Sequence, residues 1–243
     1  MRDAANERIS RRTAVGAAGA ALGVTGAALW NASSRDSTSG SSNVPLTGME
    51  IMTPGARDSD LIPDTTLYTQ SGRTVKLYSD LIKDSRILLS FMYVRCQGFC
   101  PVTSALFQSL RKSVMERLGP NVKFVSITLD AEYDTPSVLR EYAGHFNAED
   151  ENNPRPGYAP WYFLTAKPET VDFVRRSLGH YDPDPVIDAD RTQHATLFTF
   201  GNDTTNRWAT MPVGLPHDQT LSAVMRFLGT SFSDRYSLLP RPA

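Results

Sequence analysis

The chain has 243 residues, 40% of them hydrophobic and 21% charged, which suits one globular domain of about 170 to 190 residues with extensions. A net charge of −1, with no basic stripe that would track phosphates, excludes a nucleic-acid binder. Only two cysteines are present, Cys96 and Cys100, so a four-thiolate zinc site is excluded and any metal site must recruit other residue types.

In chain order, residues 1–33 read as an export segment. Ser10-Arg11-Arg12 is followed by no charge until Arg35, across an Ala/Gly-rich run ending in Leu29-Trp30. Serine before paired arginines is the pattern of a twin-arginine signal, although Ala14 and Val15 stand where larger residues are usual. No small-x-small cleavage site follows Trp30. Residues 13–32, about 20 in all, are enough for a hydrocarbon core of about 30 Å, so a removed signal and a retained membrane anchor are both open. Either way the remainder is expected outside the cytoplasm, in a periplasm or at the outer face of the membrane, where a disulfide persists. Residues 34–59, rich at their start in Ser, Thr, Asn and Gly, read as a flexible tether, residues 60–232 as the folded domain and 233–243 as a C-terminal tail.

Within the domain, residues 65–69 and 74–78 flank Gln70-Ser71-Gly72-Arg73 as a hairpin. Residues 87–94 form a dense apolar and aromatic run, which reads as a buried strand. The period then changes. Val102, Leu106, Leu110, Val114 and Leu118 recur every four residues, with Pro101 near the first helical position and Gly119-Pro120 at the end. Residues 122–129 read as a second buried strand ending at Asp130. Asp134-Thr135-Pro136 starts a helix with Leu139, Tyr142, Ala143 and Phe146 on one face. A polar loop with three prolines covers residues 147–160, and residues 161–164 are a short strand. Lys167-Pro168-Glu169 opens a helix carrying Val171, Val174 and Leu178, and an Asp/Pro-rich loop spans residues 181–193. Residues 195–200 and 207–210 flank Gly201-Asn202-Asp203 as another hairpin, and Leu221, Val224 and Leu228 mark a last helix. Strands alternating with helices predict an α/β fold, a mixed sheet with helices on both faces. The cysteine loop leaves the carboxyl end of a central strand, the thioredoxin-like arrangement.

The loop Cys96-Gln97-Gly98-Phe99-Cys100 carries the chemistry. A thiol at a helix N-terminus meets unsatisfied N–H donors and the positive end of the dipole, which favour the thiolate, and Arg95 adds a cation. A thiolate is the nucleophile of disulfide exchange and a soft ligand suited to Cu(I) or Zn(II), so redox chemistry, metal binding or both follow. A purely structural disulfide is a poor use of this spacing. Closing a five-residue ring gives roughly 2 kcal/mol, against about 4.7 for a hundred-residue loop. Of the four histidines, His194 stands out because it follows the long loop and directly precedes an apolar strand. His145 belongs to a helix pattern, His180 to a Gly-His-Tyr loop, and His217 to the start of the last helix. Asp130, at the end of a strand, is a candidate accessory group.

Three ordered segments resemble the Sco/SenC family. Residues 93–101 are similar to its C-x-x-x-C-P signature. Residues 125–136 are similar to its S-[IV]-D-P-E-x-D-T-P segment, matching at Asp130, Glu132, Asp134, Thr135 and Pro136. His194-Ala195-Thr196 resembles its ligand-histidine segment. The resemblance covers residues 61–232 and implies a thioredoxin-like mixed sheet with an added β-hairpin. It also implies one copper per domain, Cu(I) or Cu(II), held by Cys96, Cys100 and His194. The implied function is metallochaperone: copper delivery to the Cu-A subunit of cytochrome c oxidase or another cuproprotein, reduction of its cysteine pair, or both. A thiol reductant or an upstream copper chaperone is implied as a further partner. The alternative is a metal-independent thiol-disulfide oxidoreductase, with Cys96 and Cys100 as the redox-active pair and His194 dispensable. A peroxidase is disfavoured by Tyr93, where related folds place threonine. Four departures stand out: Gln97 for proline, Gly98 adding freedom to the loop, Thr128 and Leu129 as two additional residues, and Ala131 for proline. A fifth is Gln193, where the family often has aspartate. Lacking that carboxylate, the site is expected to hold copper more weakly, and Gln193→Asp is expected to strengthen it.

Overall fold

A computed structural model describes residues 57–190 and 196–236. The export segment and most of the tether, His194 with Gln193, and the end of the C-terminal tail lie outside the described residues.

Seven strands form one mixed sheet in the order β2-β1-β5-β4-β3-β6-β7. The strands are β1 (Thr66–Thr69), β2 (Thr74–Lys76), β3 (Arg86–Met92), β4 (Val122–Thr128), β5 (Trp161–Thr165), β6 (Leu197–Asn202) and β7 (Arg207–Pro212). β3, β4 and β5 run parallel, and an antiparallel hairpin closes each edge. Parallel strands covered on both faces read as continuous apolar runs, and β3 is buried from Ile87 to Met92. Leu88, Met92, Phe124, Trp161, Phe163 and Phe198 face one core, beneath α1 (Cys100–Leu118), α2 (Pro136–Gly144) and α5 (His217–Leu228). Ile87, Leu89, Phe91, Val125, Ile127 and Leu164 face the other. That side is covered by a π-helical turn, Leu77–Ile82, and by α3 (Pro168–Ser177). The expected thioredoxin-like mixed sheet flanked by helices, with its added hairpin, is present.

The structure corrects several local expectations. α1 buries Cys100, Thr103, Phe107, Leu110, Arg111 and Val114, while Val102 is 49% exposed. A strict four-residue row advances about 40° per step on a 3.6-residue helix, so it walks off the core face. Arg111 is buried and forms no carboxylate ion pair among the described residues. Its Nε donates to the Ala159 carbonyl (2.8 Å) and its Nη1 to those of Phe146 (3.3 Å) and Asn147 (3.2 Å), fastening both ends of the proline-rich loop. The 181–193 loop contains a short helix, α4 (Pro185–Ala189), because the Asp184 carboxylate accepts from the Val186 N–H (2.8 Å) and Pro185 opens the first turn. Gly201 and Asn202 lie inside β6, and the turn follows at Asp203–Thr205. Gly201 is required there, since a Cβ would lie 2.3 Å from the Trp208 ring. A last short helix, α6 (Phe232–Tyr236), follows α5.

Candidate metal centre

β3 ends at Met92, two residues earlier than its apolar run suggests, and the chain turns at once. The Cys96 N–H donates to the Tyr93 carbonyl (3.1 Å), and the Val94 N–H is captured by Asp134 Oδ2 (3.0 Å). The two additional residues are accommodated without loss of register. Thr128 pairs with Met92 in the parallel ladder, and the Leu129 N–H donates to the Met92 carbonyl (2.7 Å). The Thr128 hydroxyl donates to Asp134 Oδ2 (2.5 Å) and accepts from the Asp130 N–H (2.9 Å). The segment after β4 is therefore the brace of the cysteine loop. The Thr135 hydroxyl then accepts from the Val138 N–H (3.4 Å), capping α2 as its sequence predicts.

Cys96 and Cys100 are unbridged and buried, with 8% and 2% of their surface exposed. Cys96 is the outer one, on the wall of a cleft of about 360 Å3 lined also by Tyr93, Arg95, Phe99 and, from across the loop, Thr196. Burial opposes its thiolate, but the Cys100 thiol, the backbone N–H groups of Cys100 and Gly98, and the Tyr93 hydroxyl all donate to it. The net effect sets Cys96 below the ordinary thiol value. Cys100 lies beneath, in the first turn of α1, and burial pushes it up to about 12, with its hydrogen bond to Cys96 adding to the rise. The helix terminus thus favours a thiolate at the outer sulfur, while at Cys100, the residue in the helix itself, desolvation wins.

Arg95 does not act as a free cation beside the sulfurs. Its Nη2 is 2.6 Å from Asp130 Oδ2, and its guanidinium lies 4.1 Å from the centre of the Tyr133 ring. Asp130, 4% exposed, is thereby engaged in holding the loop. Gly98 does not use positive φ, and a Cβ on it would meet Cys96 Sγ at 3.9 Å, an ordinary contact. Among the described residues no group of three His, Cys, Asp or Glu side chains converges on a metal position. His180 is buried elsewhere, with Nε2 2.8 Å from Thr199 Oγ1, while His145 ends α2 and His217 begins α5. His194 lies outside the described residues. The described residues on either side of that segment belong to the site: Thr196 lines the cleft, and the Asp190 charge acts on the Tyr93 hydroxyl.

Two buried, unbridged sulfurs, one on the cleft wall and one in the first turn of α1, fit a soft, thiophilic ion and give it two ligands. Sequence reasoning found this pair but missed Tyr93, Thr128 and the anchoring role of Asp134. Tyr93 had a visible signal, three residues before Cys96. The role of Asp134 depends on a backbone N–H forty residues away.

The SCO1/SenC family model matches residues 55–228, well over half of the chain. A SCO1 protein homolog from Bacillus subtilis (strain 168) is 27% identical over 114 residues, covering 46% of this chain and 53% of that protein. The chain thus spans about half the length of the curated relative it matches. Among solved structures, a SCO1/SenC family lipoprotein from Bacillus anthracis str. Ames is similar at 20% identity and a TM-score of 0.53, covering 68% of this chain and 94% of that one. Arabidopsis thaliana ScoI with copper bound is similar at 21% identity and a TM-score of 0.51, covering 65% and 92%. These structural likenesses establish the fold, and with the family model matched over residues 55–228 the chain belongs to the SCO1/SenC family.

Proposed function

We propose that this protein is an extracytoplasmic copper metallochaperone, which takes one copper at Cys96, Cys100 and His194. It passes the ion to the Cu-A cysteines of cytochrome c oxidase or to another cuproprotein. The observation that carries the reading is the buried pair of unbridged thiols, the outer one, Cys96, on the wall of a cleft and Cys100 beneath it. Copper is the cargo. Two thiolates suit Cu(I), and an imidazole suits either oxidation state. Thr196 on the cleft wall supports His194 as the third donor, because it is only two residues further along the chain. Burial of the sulfurs keeps water and oxidants from a bound Cu(I), and the outer position of Cys96 gives a partner thiol one point of entry. Export by the twin-arginine-like segment, removed or retained as an anchor, would bring the domain to the compartment where that partner is exposed.

The second reading, reduction of a partner's disulfide, is favoured by the same asymmetry. In that exchange the Cys96 thiolate attacks one sulfur of the partner and forms a mixed disulfide, releasing the partner's other sulfur as a thiolate. Cys100, once deprotonated, attacks Cys96, and the Cys96–Cys100 disulfide forms as the partner leaves with both cysteines reduced. The experiment that separates the readings is an anaerobic Cu(I) titration of the reduced protein against a competing chelator, beside His194→Ala. Retention of one copper by the wild type and its loss in the variant supports the three-ligand site. Failure of both to retain copper, with disulfide reduction intact, leaves an oxidoreductase on a Sco scaffold.

A further inference from the structure

We propose that the cleft between α3 and the loop at residues 181–190 docks an extended segment of a partner protein that carries both basic and apolar side chains. The inference goes beyond the copper-binding reading and stands without it.

The cleft encloses about 490 Å3 and lies at the carboxyl ends of β4 and β5, where open α/β sheets place their ligands. Leu129, on its wall, donates its N–H to the Met92 carbonyl at the end of β3 (2.7 Å), and Pro168 opens α3 just beyond β5. The cleft therefore shares an end of the sheet with the thiol loop but belongs to the opposite face. Leu129 and Val171 pack in one core, Cys96 and Cys100 in the other. α4 supplies Pro185 and Ile187 to the lining, yet it buries none of its residues. Val186 is 79% exposed, and Tyr181 and Ile187 are exposed beside it, so an apolar surface continues from the cleft onto the outside of α4.

Charge selects the occupant. Glu169, Asp172, Asp182 and Asp188 line the cleft with only two guanidiniums, an excess of two negative charges. Both guanidiniums are already engaged. Arg175 reaches Asp188 (2.5 and 2.9 Å) and Asp172 (2.6 Å), and Arg176 reaches Asp172 (2.8 Å) and Asp188. An anionic ligand, such as a phosphate or an acidic lipid surface, would have to displace a carboxylate from its pair. Glu169 and Asp182 have no ion-pair partner among the described residues, and residues 182–190 hold four aspartates and no lysine or arginine. A bare metal ion is not matched either, since among the described residues no three His, Cys, Asp or Glu side chains converge. A small organic cation would satisfy the charge but leave Val186, outside the cleft, uncovered. A polypeptide segment meets both demands. Its lysine or arginine heads pair with the free carboxylates while their stems and the apolar neighbours cover Tyr181, Val186 and Ile187.

The test measures fluorescence anisotropy of a labelled peptide of lysine and leucine against the reduced full-length protein. A lysine and serine peptide and a glutamate and leucine peptide of equal length are the controls. The lysine and leucine peptide is expected to bind, the lysine and serine peptide about 10-fold more weakly, and the acidic one not at all. Glu169→Gln combined with Asp182→Asn is expected to weaken binding about 3- to 10-fold, the size of two exposed charge pairs. Ile187→Ser is expected to weaken it by a similar factor. Unchanged circular dichroism and thiol reactivity show that these variants keep their fold. Equal binding of the two basic peptides means attraction of charge alone and overturns the inference. So do binding untouched by either variant and absence of binding to the wild type. Failure of the protein to retain copper overturns the copper reading and leaves this one standing.

Discussion

The loop at residues 93–99 and the loop at residues 178–190 are each fastened by an aspartate, and the two fastenings are electrostatic opposites. Asp134 is fully buried, its Oδ2 accepts from the Val94 N–H and the Thr128 hydroxyl, and desolvation raises it above the usual carboxylate range. Asp188 is met by both Nη atoms of Arg175 (2.5 and 2.9 Å), by Arg176 and by the Asp182 N–H (3.0 Å). The Arg175 hydrogen bonds, first among these, hold it far below that range. One aspartate serves as a directional acceptor in apolar surroundings, the other as a charge. The difference teaches that the turn into the thiol loop is held by a buried acceptor, with the Arg95–Asp130 pair beside it, while the loop at residues 178–190 is held by ion pairs to one carboxylate.

The largest effect expected from this contrast is at His180, whose carbonyl accepts from Arg175 (2.8 Å) within the second loop. Burial first, and the Arg175 charge second, lower its imidazole to about 4 from 6.5. The unfolded chain therefore binds the proton more readily. Stability is expected to fall as the pH drops from about 6.5 to 4, by about 3 kcal/mol in total. Urea unfolding of wild type and His180→Asn across that window checks it, and parallel slopes would refute it.

Next in size is Asp188→Ala. It leaves the Arg175 guanidinium, 12% exposed, with Asp172 as its remaining carboxylate, and about 2 kcal/mol of stability should be lost. A depressed carboxyl contributes stability above its unfolded value near 3.8, lost as pH falls through the folded one. The gap between wild type and variant should therefore stay constant from pH 7 to about 5 and narrow only in strong acid.

Asp134 should behave in the other sense. Its raised carboxyl costs stability when ionised, a cost relieved as pH falls through the folded value. Asp134→Asn, which keeps an oxygen for Val94 and Thr128, is expected to cost less than about 1 kcal/mol, and Asp134→Ala about 1 to 2. Equal losses in a denaturant series would mean that the charge, not the acceptor, holds the turn. The smallest effect is expected for Gly98→Ala, about 0.5 kcal/mol or less in either direction with copper retention unchanged, since its Cβ makes only an ordinary contact.

Local chemistry by itself determined much of this protein. β3 and β4 are legible because strands buried on both faces are continuously apolar, and α2 because Thr135-Pro136 is both cap and first turn. The Cys96/Cys100 pair is legible because its spacing spans one strand-to-helix turn. The placement of His194 rests on resemblance, its residues being outside those described. What only the tertiary structure decided are the partners that no local pattern encodes: Asp130 for Arg95, Asp134 for Val94, and the loop carbonyls for Arg111. The helix-terminus argument leaves open which of the two sulfurs is the thiolate, whereas the fold favours it at Cys96. The reason is physical. Donors at a helix end follow from the chain nearby, but desolvation depends on what the rest of the molecule packs over each sulfur.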